Sequence, residues 1–297
     1  MKMTRVFLIV LAGAGAVPAQ DTPMTGTLKA AGVSTVRVKQ KIQAGALTLN
    51  PVADTFGGAF SSTDLSRVIK GEPAEVTNIG PCNVSKLGQQ QTPAGDTGAV
   101  TYLDAGPFLN LTGPEGSKQI PGSRLLYGAM LGGGPAIPGQ APPSPLFLNP
   151  GDYTLDNGGG SADVGPFRMN FTIPPDFEWT NADSVSPIDR ATGVDITWKG
   201  GDPNSKVAIG GSVVIIDPVT RKVSGGAVFS CLEDNGTGHF NVPPEVLQLL
   251  PATVVTGGVP NGTMLVADTV TTQFDLPGFD LSEVTFGSST TRSVELK

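Results

Sequence analysis

The chain has one histidine, His239, in 297 residues. That scarcity excludes a histidine-rich zinc site and a histidine-ligated cofactor. No G-x-S-x-G elbow is present to make His239 part of a serine hydrolase, and beside Phe240 it reads as a structural side chain. Aromatic residues are sparse too, with two Trp and three Tyr. Trp198 closes an apolar strand pattern and reads as core, which leaves Trp179 as the one loose candidate for a ligand-binding platform. Basic clusters are missing from a chain of formal net charge −7, so it carries no electrostatic footprint for nucleic acid or anionic lipid. Beyond the first residues, no apolar run approaches the ~18 residues of a membrane-spanning helix.

The N-terminus supplies what the rest lacks. Lys2 and Arg5 precede an apolar run, Val6 to Ala14, and Val17-Pro18-Ala19 offers small residues for cleavage before Gln20. This pattern predicts a signal peptide over residues 1–19, whose loss removes two positive charges and takes the net charge from −7 to −9. The expected location is extracytoplasmic, secreted or periplasmic, with no membrane attachment after cleavage. Glycine and proline are abundant, at 40 and 26 residues. Together with Val, Ile, Leu and Phe spread throughout, they predict many short strands joined by tight turns.

The stretch 147–181 organises the reading. Tyr153 to Asp156 is a strand, Asn157 to Ser161 a glycine-rich turn, and Val164 to Ile173 a second strand. Alternation places Phe167, Met169, Phe171 and Ile173 on one face, which requires a second sheet to cover it. Pro174-Pro175 cannot continue a hydrogen-bonded ladder and marks a domain boundary. The expectation is all-β: an N-terminal β-sandwich over 20–173 and a C-terminal sandwich over 176–297, both antiparallel. Strands at about ten-residue intervals with an early tryptophan make the second immunoglobulin- or fibronectin-III-like. Helix is confined to short pieces near 63–70 and 244–250, and residues 20–31 read as a loose arm.

Few residues gather into candidate chemistry. Asp176 with Glu178, and Glu233 with Asp234, are paired carboxylates of glycosidase type, though each sits at a turn where solvated acids are usual. Asp152, Asp156, Asn157 and Asp163 flank the glycine turn and offer the hard oxygens that calcium takes. Their spacing departs from the D-x-[DN]-x-[DN]-G loop, and turn chemistry accounts for Asp156-Asn157-Gly158 without metal. No cofactor is expected. Cys82 and Cys231 would close a loop of about 150 residues if paired. With only two thiols, the reading settles on separately buried cysteines over a bridge, by a narrow margin. Five N-x-S/T sequons begin at Asn83, Asn110, Asn170, Asn235 and Asn261.

Four segments, 103–120 (LDAGPFLNLTGPEGSKQI), 148–167, 196–209 (ITWKGGDPNSKVAI) and 239–251 (HFNVPPEVLQLLP), resemble parts of uncharacterised secreted proteins of soil bacteria with an immunoglobulin-like β-sandwich. The resemblance implies a β-sandwich outside the cytoplasm and assigns no catalytic residues. The expected function is a non-catalytic binding or surface-structural module, its partner an extracellular ligand or cell-surface component. The alternative is a secreted, carboxylate-dependent, glycosidase-like hydrolase.

Overall fold

The computed structural model describes residues 26–44, 47–67, 76–88, 100–123, 125–137, 139–256 and 258–297. The expected signal peptide, 1–19, lies outside the described residues. The chain opens with β1 (Thr27–Gln40), β2 (Ile42–Ala44), β3 (Leu47–Leu49), β4 (Val52–Asp64), β5 (Val76–Ile79), β6 (Cys82–Lys86) and β7 (Val100–Tyr102). There follow β8 (Phe108–Gly113), β9 (Gly116–Ser123), β10 (Leu126–Gly134), β11 (Gly151–Asp156), β12 (Arg168–Ile173), β13 (Glu178–Trp179) and β14 (Val194–Lys199). The chain closes with β15 (Lys206–Ile216), β16 (Val223–Asp234), β17 (His239–Val242), α1 (Pro244–Gln248), β18 (Val255–Thr256), β19 (Val259–Pro260), β20 (Gly262–Gln273) and β21 (Leu281–Val294). Strand thus dominates, and α1 is the one α-helix among the described residues.

One long mixed sheet organises the molecule, in the order β12-β11-β8-β9-β10-β4-β1-β21-β20-β15-β16-β6-β5, with β7 beside β4. Its single parallel pairing joins β1 to β21, from Ala30 opposite Leu281 to Gln40 opposite Thr291. At the β9–β10 joint only Leu126–Ser123 and Tyr127–Gly122 are paired. There the sheet turns a corner, and β12-β11-β8-β9 folds back over β10-β4-β1-β21. A three-stranded sheet, β13-β14-β17, and α1 lie over the other end.

Period-2 alternation puts one face of the long sheet inward, and two apolar clusters form on it. Ala31, Val33, Phe56, Phe60, Val284 and Phe286 meet Leu109, Leu111, Ile120, Tyr153, Leu155 and Phe171 of the folded-back layer. Val207, Ile209, Val213, Phe229, Met264 and Val266 meet Trp179, Ile196, Trp198, Val242, Val246 and Leu247 of the second layer. Each large side chain buried this way contributes roughly 1.5–3 kcal/mol. Phe60 anchors the first cluster, edge-on to Tyr127 with ring centroids 5.9 Å apart.

Membership of the clusters crosses Pro174-Pro175 in both directions. Cys82 and Val84 pack in the second cluster, because β6 pairs with β16. Val284 and Phe286 pack in the first and Val294 in the second, because β21 runs under both layers.

Three expectations need correction. Cys82 and Cys231 are not separate thiols: they lie opposite each other in the β6–β16 register and are disulfide-bonded, with Cα atoms 3.9 Å apart. The 149-residue separation hid a direct cross-strand neighbour. The loose arm is shorter than expected, since β1 begins at Thr27 and Asp280 brackets Lys29 by accepting from its N–H and donating to its carbonyl. The helix near 63–70 is a single 3-10 turn, Leu65–Arg67, while residues 68–70 lie outside the described set.

Candidate functional site

Between the two apolar clusters the inner face turns polar, along a row that crosses the strands. The pairing register sets Asp54 of β4 beside Arg37 of β1, Arg37 beside Ser288 of β21, and Ser288 beside Asp268 of β20. All four are buried. Buried polar groups need partners; Ser288 Oγ finds none among the described residues, while the other three do.

Asp54 and Arg37 do so with a forked pair: Arg37 Nε donates to Asp54 Oδ1 at 2.9 Å and Nη2 to Oδ2 at 3.0 Å. Asp54 Oδ2 also accepts from the backbone N–H groups of Phe147 and Leu148, both at 2.8 Å. Arg37 Nη1 reaches Asp176 at 2.9 Å, and Nη2 reaches Asn149 Oδ1 at 3.3 Å. Burial opposes the charge on Arg37, yet Asp54 and then Asp176 outweigh it and raise its pKa above the ordinary value. Lys39, next on the same face, donates to the Phe177 carbonyl at 2.6 Å, and burial lowers its pKa although Asp176 pulls the other way. The segment after Pro174-Pro175 is thereby fastened to the sheet by Asp176 and Phe177.

At the far end of the row, Asp268 faces the turn between β14 and β15. Its Oδ1 is hydrogen-bonded to Ser205 Oγ, and Oδ2 accepts from Asp202 N at 3.4 Å. Burial raises the pKa of this carboxyl above its ordinary value, against the opposing effect of the Ser205 hydrogen bond. The Asp202 carbonyl oxygen accepts three hydrogen bonds, from Ser205 N at 3.0 Å, Ser205 Oγ at 2.7 Å and Asn235 Nδ2 at 2.7 Å. Asn235 is itself buried, and its carbonyl accepts from the Trp198 indole N–H at 3.0 Å. Gly201 makes this closeness achievable. It holds φ of +74°, and a Cβ there would stand 2.4 Å from Asp268 Oδ2 and 2.8 Å from Asn235 Nδ2. The sequence marked 200–204 only as a turn. The signal that was readable, a second carboxylate at Asp268 inside an apolar strand, lies more than sixty residues away.

The calcium candidates do not converge. Asp152 and Asp156 stand four residues apart on β11, about 13 Å at strand rise, too far to share one ion. Asp152 accepts from Thr172 Oγ1 at 2.7 Å, Asp156 from Asn110 Nδ2 at 2.8 Å and Gly158 N at 3.0 Å, and Asp163 from Asp104 N at 3.0 Å. Asn157 is buried and staples the loop, donating to the carbonyls of Ala105 and Gly165 and accepting from Phe167 N. Among the described residues no three His, Cys, Asp or Glu side chains are gathered as a metal site. Trp179 also departs from expectation: it is 3% exposed, with its indole N–H on Asn181 Oδ1 at 2.8 Å. It sits opposite Trp198 in the β13–β14 register and is core. His239 is exposed, its Nδ1 3.1 Å from the Thr237 carbonyl. The paired carboxylates are engaged with cations or backbone: Asp176 with Arg37, Glu178 with Lys199, Asp234 with Lys206, and Glu233 accepts from Asp234 N.

Two open hollows mark the surface. One of about 400 Å³ is lined by Asp156, Gly158, Pro166, Phe167 and Arg168, and one of about 520 Å³ by residues of the 273–282 turn, including Phe274 and Phe279.

No protein-family model matches the chain, and no curated protein matches it in sequence. Among solved structures, the yeast delta-COP-I mu-homology domain aligns at 8% identity and a TM-score of 0.21, covering 93% of this chain and 100% of that one. The same yeast domain complexed with the Dsl1 WxWxV peptide aligns at 8% identity and a TM-score of 0.20, covering 94% of this chain and 100% of that one.

Proposed function

We propose that the protein is an exported module that works outside the cytoplasm by binding a ligand or cell-surface component, or by building surface structure, and that it carries out no catalysis on other molecules. The observation that carries this reading is the buried Cys82–Cys231 cystine. Such bonds form and persist in oxidising compartments and are rare where thiols are kept reduced. It accords with the leader-like residues 1–19 and with the resemblance to secreted proteins of soil bacteria. The finer architecture proposed is a pair of sandwiches, the second immunoglobulin-like. Two separate apolar clusters, each with its own covering layer, support that reading. The rigid frame leaves aliphatic side chains in water at two hairpins, Ile216, Val219 and Val223 on one and Val254 and Val255 on the other.

Expression of the full chain in a bacterial host, followed by fractionation and N-terminal sequencing, tests the reading. The expected product is extracytoplasmic, begins at Gln20 and resists thiol alkylation. A cytoplasmic product that retains Met1 and alkylates at both cysteines would overturn it.

A further inference from the structure

We propose that the Asp202–Pro203 peptide bond is a self-cleavage site, with Asp202 as nucleophile, Ser205 and Asn235 as the cradle for the developing oxyanion, and Asp268 as the positioning acid behind Ser205. The inference does not depend on where the protein works.

The geometry is that of an acyl-transfer site built around a bond of the chain itself. Three donors converge on the Asp202 carbonyl oxygen at 2.7–3.0 Å, where an oxyanion would form. Ser205 Oγ contacts two acceptors, this carbonyl and Asp268 Oδ1, yet a hydroxyl has one proton. Both contacts are hydrogen bonds when Asp268 brings a proton of its own, and the upward push that burial gives this carboxyl agrees. A proton path then runs from Asp268 through Ser205 to the carbonyl. Asp202 Oδ1 caps the turn by accepting from Asn204 N at 2.9 Å, leaving Oδ2 as the attacking atom. Pro203 is exposed, so water reaches the bond.

The steps balance. Asp202 Oδ2 forms a bond to its own carbonyl carbon, closing a five-membered ring, and the carbonyl electron pair moves onto the cradled oxygen. That oxygen takes the proton relayed from Asp268 through Ser205. Collapse restores the carbonyl, passes this proton to the adjacent proline nitrogen and breaks the C–N bond, so that Pro203 leaves as a secondary amine. One water opens the cyclic anhydride to the two carboxyl groups of a C-terminal Asp202, and a proton returns to Asp268. The net change is hydrolysis. Cys82 lies before the cut and Cys231 after it, so the disulfide holds the pieces together.

The chain contains its own control. Asp217–Pro218 is the other Asp-Pro bond, and Asp217 Oδ1 is likewise occupied, by Val219 N, Thr220 N and Thr220 Oγ1. The difference lies at the carbonyl: among the described residues the Asp217 oxygen accepts from Arg221 N alone, at 2.9 Å, with no Ser–Asp pair behind it.

The test is incubation of the folded mature protein from pH 4 to 7, followed by intact mass and by reducing and non-reducing gels. The expected result is a species heavier by one water that separates into two pieces, one beginning at Pro203, only after reduction. The Asp202 bond should cut about 100-fold faster than the Asp217 bond, and urea should erase that preference. Pro203→Ala, a change at an exposed position, should slow the cut. Asp268→Asn should remove the preference and flatten the fall in rate as pH rises, while Asp268→Glu should restore part of both. The charged groups facing Asp268 are Asp202 and, two strands along the row and about 10 Å away, Arg37, which is held by Asp54 and Asp176. Absence of the Pro203 fragment, equal cutting at both Asp-Pro bonds in the folded protein, or an unchanged pH profile in Asp268→Asn would each overturn the proposal.

Discussion

At the residue scale, the glycine turn after β11 shows how conformation and space divide between neighbours. Gly158 and Gly160 hold φ of +62° and +74°, whereas Gly159 does not need the left-handed region. At Gly158 a Cβ would meet open space, but at Gly160 it would stand 2.5 Å from Pro166 N. Gly160→Ala should therefore cost more than the roughly 1–3 kcal/mol of backbone strain alone, and Gly159→Ala should stay within about 0.5 kcal/mol. Urea titration of the two variants checks this, and equal midpoints would show that the turn is slack. Asp268 gives a residue-scale prediction in pH. Its folded pKa is raised above the ordinary 3.8, so its contribution to stability is present below that value and is lost as pH rises through the folded pKa. Asp268→Asn has no such group to ionise. Its melting temperature should change less between pH 4 and 7 than that of the wild type, and parallel curves would contradict the assignment.

At the scale of elements, the polar row explains both what binds the strands together and what concealed them. The alternation of Phe167, Met169, Phe171 and Ile173 was legible, as were α1 behind Pro243-Pro244 and most strand centres. The long strands are not. In β20, Asp268 ends the apolar pattern of Met264-Leu265-Val266-Ala267. In β21, Ser288 and Thr290 face inward where apolar residues are expected. In β15, Gly210-Gly211 divides the pattern, where a Cβ on Gly211 would meet the Phe229 ring at 2.4 Å. In β4, Gly57-Gly58 resembles a turn and Asp54 a solvated acid, although Asp54 is fully buried. The residues that make the candidate site are those that broke the hydrophobic period, and their partners are far away in sequence. Removing one partner of a buried ion pair leaves an uncompensated charge. Asp54→Ala should therefore destabilise by about 3–5 kcal/mol. Asp176→Ala should cost less than about 1 kcal/mol, because that side chain is 66% exposed. Similar losses in the two variants would mean that the row is not the structural seam.

At the scale of the whole molecule, the two apolar clusters share β21 and flank the polar row, while the disulfide lies inside the second cluster. Both tryptophans lie in the second cluster, while Tyr127 and Tyr153 lie in the first. Tryptophan fluorescence therefore reports one end of the sheet and far-UV circular dichroism the whole. The two unfolding curves should coincide with the disulfide intact, and a separated tryptophan transition would show independent domains. The cystine is the most exacting part of this account, because its two residues come from opposite sides of Pro174-Pro175 and meet only if β6 pairs with β16 in the stated register. It constrains a loop of 149 residues, worth about 5 kcal/mol on chain-entropy grounds. Peptide mapping of the unreduced protein by mass spectrometry tests it directly. The expected result is one peptide pair joined through Cys82 and Cys231, separating on reduction. Recovery of both cysteines as alkylated free thiols from the natively folded protein would contradict the fold and the export reading together.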